Sequence, residues 1–470
     1  MPGMLPWSAG LAGRIDDHLI SSDLLRGNPL GDPHERPLLV QVPPGYDDEP
    51  ERRYPAVYVI QGFTAHVAMW RNRSAFRQPF PETADAAFAR GPGAGDGAPP
   101  AIVVYVDAWT AYGGSQFVDS PGTGKYHSYL CDEVVPYVDA RYRTIPDAAH
   151  RAIQGKSSGG FGAMITPMLR PDLFGLLATH SGDSLYEYCY LAGFPDSIRH
   201  LRKYDGDIFR WWDDFRSRVA FTKSEDMDLL MMLAIAACFS ADDDGTPVLP
   251  FDPETGLLRP AVWQRWLDWD PVRMVPRYAQ SLRGLRGIWI DAGTRDEFNL
   301  DIGAAAFRAA LREAGVADDV IHFEFFDGGH RGTDYRYPLS LAWLCRRMTV
   351  MPLLRLGLVR RNTKTRSQTR SYRRFRSILF TRCERTRYAH DPPSVRRAAT
   401  AERAAARRVQ FPVAGAGRRI RGDEPVRVGV PGRERPGQHR RRGQHRRRGR
   451  HAGCERHVGA DDPREDALDD

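Results

Sequence analysis

The sequence predicts an α/β architecture, a mostly parallel, doubly wound sheet with helices on both faces. Two observations carry this. Short apolar, β-branched runs recur along the first 330 residues, each bounded by Gly, Pro or polar residues, as strands buried on both faces read. Between them lie stretches of helical periodicity, and such alternation favours parallel pairing through helical crossovers.

Taken in order, residues 37–43 (PLLVQVP), 54–60 (YPAVYVI), 101–107 (AIVVYVD), 151–154 (RAIQ) and 173–179 (LFGLLAT) read as strands. Residues 128–141 space Leu130, Val134, Val135, Val138 and Ala140 so that they line one helix face toward a sheet. From about 183 to 283 the alternation is interrupted by a helix-like segment containing Trp211, Trp212, Trp263, Trp266 and Trp269. It reads as a helical cap inserted between sheet elements, with an extra packing layer as the other reading. The pattern then resumes with GIWIDAG (287–293), a helix over 300–314, the strand in HFEFFDGGH (322–330) and a final helix over 338–348.

Composition breaks near residue 350. Of the 67 Lys and Arg, 32 follow it, against 13 of the 59 Asp and Glu, so the net charge of +8 divides into −11 before the break and +19 after it. Residues 351–470 are rich in Arg, Gly, Ala and Pro and hold too few large apolar side chains to offset the entropy of ordering. The expected organisation is therefore an α/β body over 1–350, with the cap at 183–283, followed by a disordered Arg-rich tail over 351–470. A basic tail can meet phosphates. This one has no nucleic-acid-binding motif, aromatic stacking pattern or zinc spacing, so nucleic acid is not an expected partner. The six cysteines show no CxxC spacing, no basic and apolar leader opens the chain, and no run of about 18 apolar residues occurs. These features predict a cytoplasmic protein without a membrane span.

Residues 155–159, Gly-Lys-Ser-Ser-Gly, match G-x-S-x-G, with a strand-like RAIQ before and a helix-like GGFGAMITPMLR after. Strand, tight turn and helix are the context in which such a serine is held exposed on a strained backbone. Ser157 is the predicted nucleophile, with Ser158 giving its backbone N–H to an oxyanion hole. A serine hydroxyl needs a base, and the base an acid, in the chain order Ser, acid, His. Asp296, in the loop GTRDEF after GIWIDAG, is the predicted acid, with Asp291, Glu297 and Asp301 competing. His330, in the glycine-rich loop DGGHRG, is the predicted base. The second oxyanion donor is expected from Gln61-Gly62-Phe63-Thr64, with Phe63 first and Thr64 second. The loop Trp109 to Ser120 should reach the edge where ligands bind in open α/β sheets, making Tyr112, Gln116 and Asp119 candidates for substrate contact. Lys156, beside the serine, is expected either to form a structural ion pair or to meet an anionic substrate group.

The motifs YPAVYVIQGF, VVYVDAWTAYGGSQFVDS, EVVPYVDARYRT, RAIQGKSSGGFGAM, PDLFGLLATHSGD and FFDGGHRGTDYRYPLSLAWL make the chain resemble the esterase family that includes esterase D (S-formylglutathione hydrolase), enterochelin esterases, feruloyl esterases and mycolyl transferases. The resemblance covers about residues 36–348. It implies an α/β-hydrolase fold, no cofactor, and acyl transfer from an ester or thioester to water, and it agrees by position with Ser157, Asp296 and His330. The function expected is thus that of a serine carboxylesterase acting on a small-molecule ester through an acyl-enzyme. An acyltransferase, or a ligand-binding protein without catalysis, would use the same scaffold.

Overall fold

Where β-branched and aromatic residues cluster, the sheet forms. The computed structural model describes residues 10–349, apart from 75 and 220. Its central sheet has eight strands: β1 (Arg14–Ser21), β2 (Glu35–Val42), β3 (Ala56–Ile60), β4 (Ile102–Val106), β5 (Arg151–Ser157), β6 (Leu176–Gly182), β7 (Gly287–Gly293) and β8 (Ile321–Phe326). Their spatial order is β1-β2-β4-β3-β5-β6-β7-β8. The β1–β2 and β2–β4 pairs are antiparallel and the other five are parallel.

The sheet is buried on both sides because successive side chains point to opposite faces. Tyr58, Ile60, Val104 and Val106 enter one core, and Val57, Val59, Val103 and Tyr105 enter the other. Helix α1 (Phe80–Arg90) covers the second face, contributing Phe80, Ala84 and Phe88. Helix α2 (Val135–Arg141), which follows a π-helical turn at Tyr129–Val134, and α3 (Ser158–Leu169) cover the first.

Within 183–283 lie the longer helices α4 (Phe194–Leu201), α5 (Ile208–Arg216), α6 (Asp226–Phe239) and α7 (Pro260–Leu267). Trp211 and Trp266 are fully buried here, in the same hydrophobic cluster as Tyr58 and Ile60 of the sheet. Each indole N–H finds an acceptor: Trp266 Nε1 donates to Ser240 Oγ at 2.7 Å and Trp211 Nε1 to Asp226 Oδ1 at 3.3 Å. Helices α8 (Leu300–Glu313) and α9 (Arg336–Thr349) complete the layers. The arrangement is the α/β-hydrolase fold, a mixed and mostly parallel sheet between helices.

Three strands depart from the expectation. β1 was not anticipated, β5 runs to Ser157 rather than ending at 154, and β6 runs to Gly182 rather than ending at 179. The Arg-rich segment 351–470 lies outside the described residues. Among the described residues, no helix is long and apolar enough to cross a membrane, and the four cysteines are free and buried.

Candidate active site

Ser157 is the last residue of β5, and α3 starts at the next residue. Its backbone sits at φ 58, ψ −127, a conformation L-residues rarely adopt. The turn closes only because of its glycines. A Cβ on Gly155 would lie 2.4 Å from the Gly159 carbonyl, and one on Gly159 would lie 2.6 Å from the Ile60 carbonyl oxygen. Close chain passage therefore requires Gly at both positions and leaves the strained serine at the head of the helix.

Positive φ is concentrated around this turn. Thr64, Gln116, Phe117, Ser181 and Leu185 share it with Ser157, at the ends of β3, β4 and β6 or in the loops that follow them. Non-glycine residues held this way mark positions that the surrounding structure over-determines.

The acid and histidine loops are zipped together beyond the β7–β8 ladder. Thr294 N–H donates to the Phe326 carbonyl at 2.9 Å, and Arg295 N–H to the Gly328 carbonyl at 2.9 Å. This places Asp296 beside His330, with Asp296 Oδ2 3.0 Å from His330 Nδ1. On the other side of the ring, Nε2 stands 3.1 Å from Ser157 Oγ. The Asp296 and His330 side chains are 0% and 9% exposed, so water scarcely competes for their hydrogen bond. Burial pushes the Asp296 carboxyl upward, but the hydrogen bond and charge of His330, together with the Phe298 N–H, outweigh it and hold the group below its ordinary range. Glu297 takes another part: its Oε2 accepts the backbone N–H of His330 at 2.5 Å. The edge of Phe298 packs against the imidazole, centroids 4.9 Å apart.

A second Ser-His-Asp chain occurs nearby. Ser340 Oγ is 3.0 Å from His180 Nε2, and His180 Nδ1 is 2.7 Å from Asp291 Oδ1. All three residues are buried in the body, and Asp291 is further held by Arg336 and by the Trp289 indole. Sealed from substrate, this set is a structural network. Asp291, one of the competing acids, is thereby committed away from Ser157.

Of the two oxyanion candidates after β3, Thr64 is removed: its N–H donates to the Gly113 carbonyl at 2.7 Å. The Phe63 N–H has no protein acceptor among the described residues, and Ser158 N–H opens α3, where the first N–H groups have no intrahelical partner. Phe63 and Ser158 line one small cleft together with Gln116, Phe117 and, from α6, Ala234 and Ile235.

The substrate-contact candidates divide. Gln116 is in this cleft. Tyr112 is not; its ring packs edge-on against Trp212, with centroids 5.0 Å apart. Asp119 is not among the residues of this cleft: its carboxylate accepts the Ser128 backbone N–H at 2.9 Å and the Ser128 hydroxyl. Lys156 makes no ion pair among the described residues, and its burial lowers its pKa against the opposing pull of Asp334 and Asp296.

One neighbour of the serine was not anticipated. Asp183, buried, follows directly on β6, with Oδ1 3.4 Å from Ser157 Oγ and Oδ2 3.3 Å from Ser158 Oγ. Tyr190 OH donates to Oδ2 at 2.8 Å and Gln116 Nε2 at 3.4 Å. Its position at the C-terminal end of the strand adjoining the nucleophile strand is the signal that could have found it.

A family model described as "Putative esterase" matches residues 33–342. Among solved structures the chain is similar to a ferulic acid esterase, at 20% identity over 72% of this chain and 100% of that one, with a TM-score of 0.45. It is also similar to FphF, a Staphylococcus aureus fluorophosphonate-binding serine hydrolase, at 12% identity over 71% and 98% of the two chains (TM-score 0.44). A third is an S-formylglutathione hydrolase from Agrobacterium tumefaciens, at 16% identity over 73% and 98% (TM-score 0.41).

Proposed function

The chain belongs to this esterase family and is an ester-bond hydrolase, and from that premise we propose that it is a serine carboxylesterase working through an acyl-enzyme on Ser157. In the first step Ser157 Oγ attacks the ester carbonyl carbon while His330 Nε2 takes the hydroxyl proton. Asp296 holds the opposite ring nitrogen and stabilises the imidazolium. The oxyanion is met by the N–H groups of Phe63 and Ser158, each worth about 3–4 kcal/mol in the transition state when aimed in advance. Collapse expels the alcohol, which leaves with the proton from His330. Water, activated by the same histidine, then attacks the acyl-enzyme, releasing the carboxylic acid and restoring Ser157.

The observation that carries this reading is the buried Asp296–His330–Ser157 chain, 3.0 and 3.1 Å, ending on a serine in a strained turn. We further propose that 183–283 acts as a cap on a hydrolase body, supported by the presence of Ala234 and Ile235 in the cleft beside Ser158.

The test is labelling of the full chain with a fluorophosphonate probe and hydrolysis of p-nitrophenyl esters from acetate to decanoate. Labelling that maps to Ser157, with labelling and turnover both lost in Ser157→Ala, is the expected result. Labelling that survives the substitution would refute the assignment. The chain-length optimum reports the depth of the cleft.

A further inference from the structure

A carboxyl group beside the attacking oxygen has no part in the mechanism just given. Asp183 is buried and has no Lys or Arg in ion-pair contact among the described residues. Desolvation raises its pKa, against the hydrogen bond from Tyr190. A buried carboxylate without a cation is unfavourable by several kcal/mol, roughly, unless something else meets the charge. Its donors here are hydroxyls and an amide, and one of those hydroxyls, on Ser157, must be surrendered to His330 before the chemistry can run.

A second group points the same way. Gln116, also buried, turns its Nε2 toward Tyr190 OH at 3.2 Å and toward Asp183, while its Oε1 has no hydrogen-bond partner. Gln116 lines the cleft next to Ser158, and its backbone is held at φ 52. A strained residue presenting an unpaired buried acceptor, next to an uncompensated carboxylate, is a site lacking a donor of positive charge.

The distance from the nucleophile is compatible with one part of the substrate. When the acyl carbon is bonded to Ser157 Oγ, a substituent on the acyl α-carbon stands three bonds away, roughly 3–4 Å by ordinary bond lengths. Asp183 Oδ1 is 3.4 Å from the same Oγ. Resting on the assignment of Ser157 as nucleophile, we propose that Asp183 and Gln116, with Tyr190 orienting them, form a subsite for a protonated α-amine, so that esters of α-amino acids with the amine free are the substrate class. The hydrolysis is otherwise unchanged: the acyl–oxygen bond to the alcohol breaks, one to Ser157 forms, and water releases the free amino acid.

The test uses the full chain at neutral pH, where much of an α-amine is protonated. Methyl esters of alanine, N-acetylalanine, lactic acid and propanoic acid are compared by kcat/KM. The alanine ester is expected to exceed the other three by at least about tenfold, the scale of one charge-assisted hydrogen bond. Asp183→Asn should bring the alanine-to-propanoate ratio to within about twofold of one, the neutral amide no longer selecting charge. A lactate ester as good as the alanine ester, or a ratio unchanged in Asp183→Asn, overturns the proposal while leaving Ser157 in place as the nucleophile. Because small methyl esters can turn over too slowly to compare, protection of Ser157 from fluorophosphonate is measured in parallel. Alaninamide should protect at a concentration at least about tenfold lower than propanamide, and equal protection overturns the subsite. Absence of labelling at Ser157 overturns the underlying mechanism and the subsite with it.

Discussion

Replacing Asp296 by Asn separates the proposed acid from its neighbours. The amide keeps the shape of the carboxylate, and its oxygen can still accept the Phe298 N–H now 3.0 Å from Oδ1. The NH2 group is then turned toward His330 Nδ1, which must become an acceptor. The ring proton moves to Nε2, facing Ser157 Oγ, and the base is lost. Water cannot repair this, because the pair is sealed at 0% and 9% exposure. In Ser-His-Asp sets this change costs on the order of 10⁴ in kcat, or about 5 kcal/mol of transition-state stabilisation. Glu297→Gln is the control. Glu297 accepts the backbone N–H of His330, a role a glutamine oxygen can fill, so the expected loss is about tenfold or less. The assay is kcat on p-nitrophenyl acetate for both variants, with circular dichroism to confirm the fold. A loss below tenfold in Asp296→Asn, or a larger loss in Glu297→Gln, would show that the acid has been misplaced.

Gly159→Ala should destabilise the elbow by about 1–3 kcal/mol, since its Cβ would meet the Ile60 and Gln61 carbonyl oxygens at 2.6 and 2.7 Å and neither is a movable side chain. Calorimetry should show a lower Tm, by roughly 2–4 °C per kcal/mol for a domain of this size. Asp291→Ala should unfold more easily by about 3 kcal/mol, because it strands buried His180 and takes one of the two carboxylates from Arg336. An unchanged urea midpoint would contradict that. Asp226 is pushed up by burial, yet Arg218, the Lys223 N–H and the Trp211 indole hold it far below the ordinary carboxylate range. A depressed folded pKa means that the unfolded chain binds more protons. The stabilisation is therefore present above about pH 4 and is lost as pH falls toward the folded value. Asp226→Asn should lower the urea midpoint at pH 7 and flatten its decline below pH 4; an unaltered pH profile would refute this.

Most of the sheet was readable because strands buried on both faces are nearly continuous apolar runs, as AVYVI and IVVYV are. The exceptions share a cause. β1 (RIDDHLIS) is an edge strand carrying Arg14, Asp16 and Asp17, and only its antiparallel register with β2 makes it a strand. The polar end of β6, Thr179 to Gly182, looks like a loop in sequence. It is buried as strand because β7 supplies Asp291 and α9 supplies Ser340 to hydrogen-bond His180. In the helix expected over 128–141, Pro136 lacks an N–H to donate, and the turn before it is π-helical.

The site divides along the same line. Ser157, Asp296 and His330 were legible because strand ends and glycine loops have sequence signatures that imply where a side chain is presented. Orientation within a loop has none. Asp119 and Gln116 lie three residues apart in one segment, yet one accepts hydrogen bonds from Ser128 and the other lines the cleft. Asp183 was hidden by the misplaced end of β6, which assigned it to the insertion rather than to the strand edge beside Ser157. A three-residue error in a strand boundary thus conceals a carboxyl group 3.4 Å from the proposed nucleophile. The residues proposed for the mechanism are written into local turns, whereas those proposed to choose the substrate depend on how distant segments meet, here Gln116, Asp183 and Tyr190.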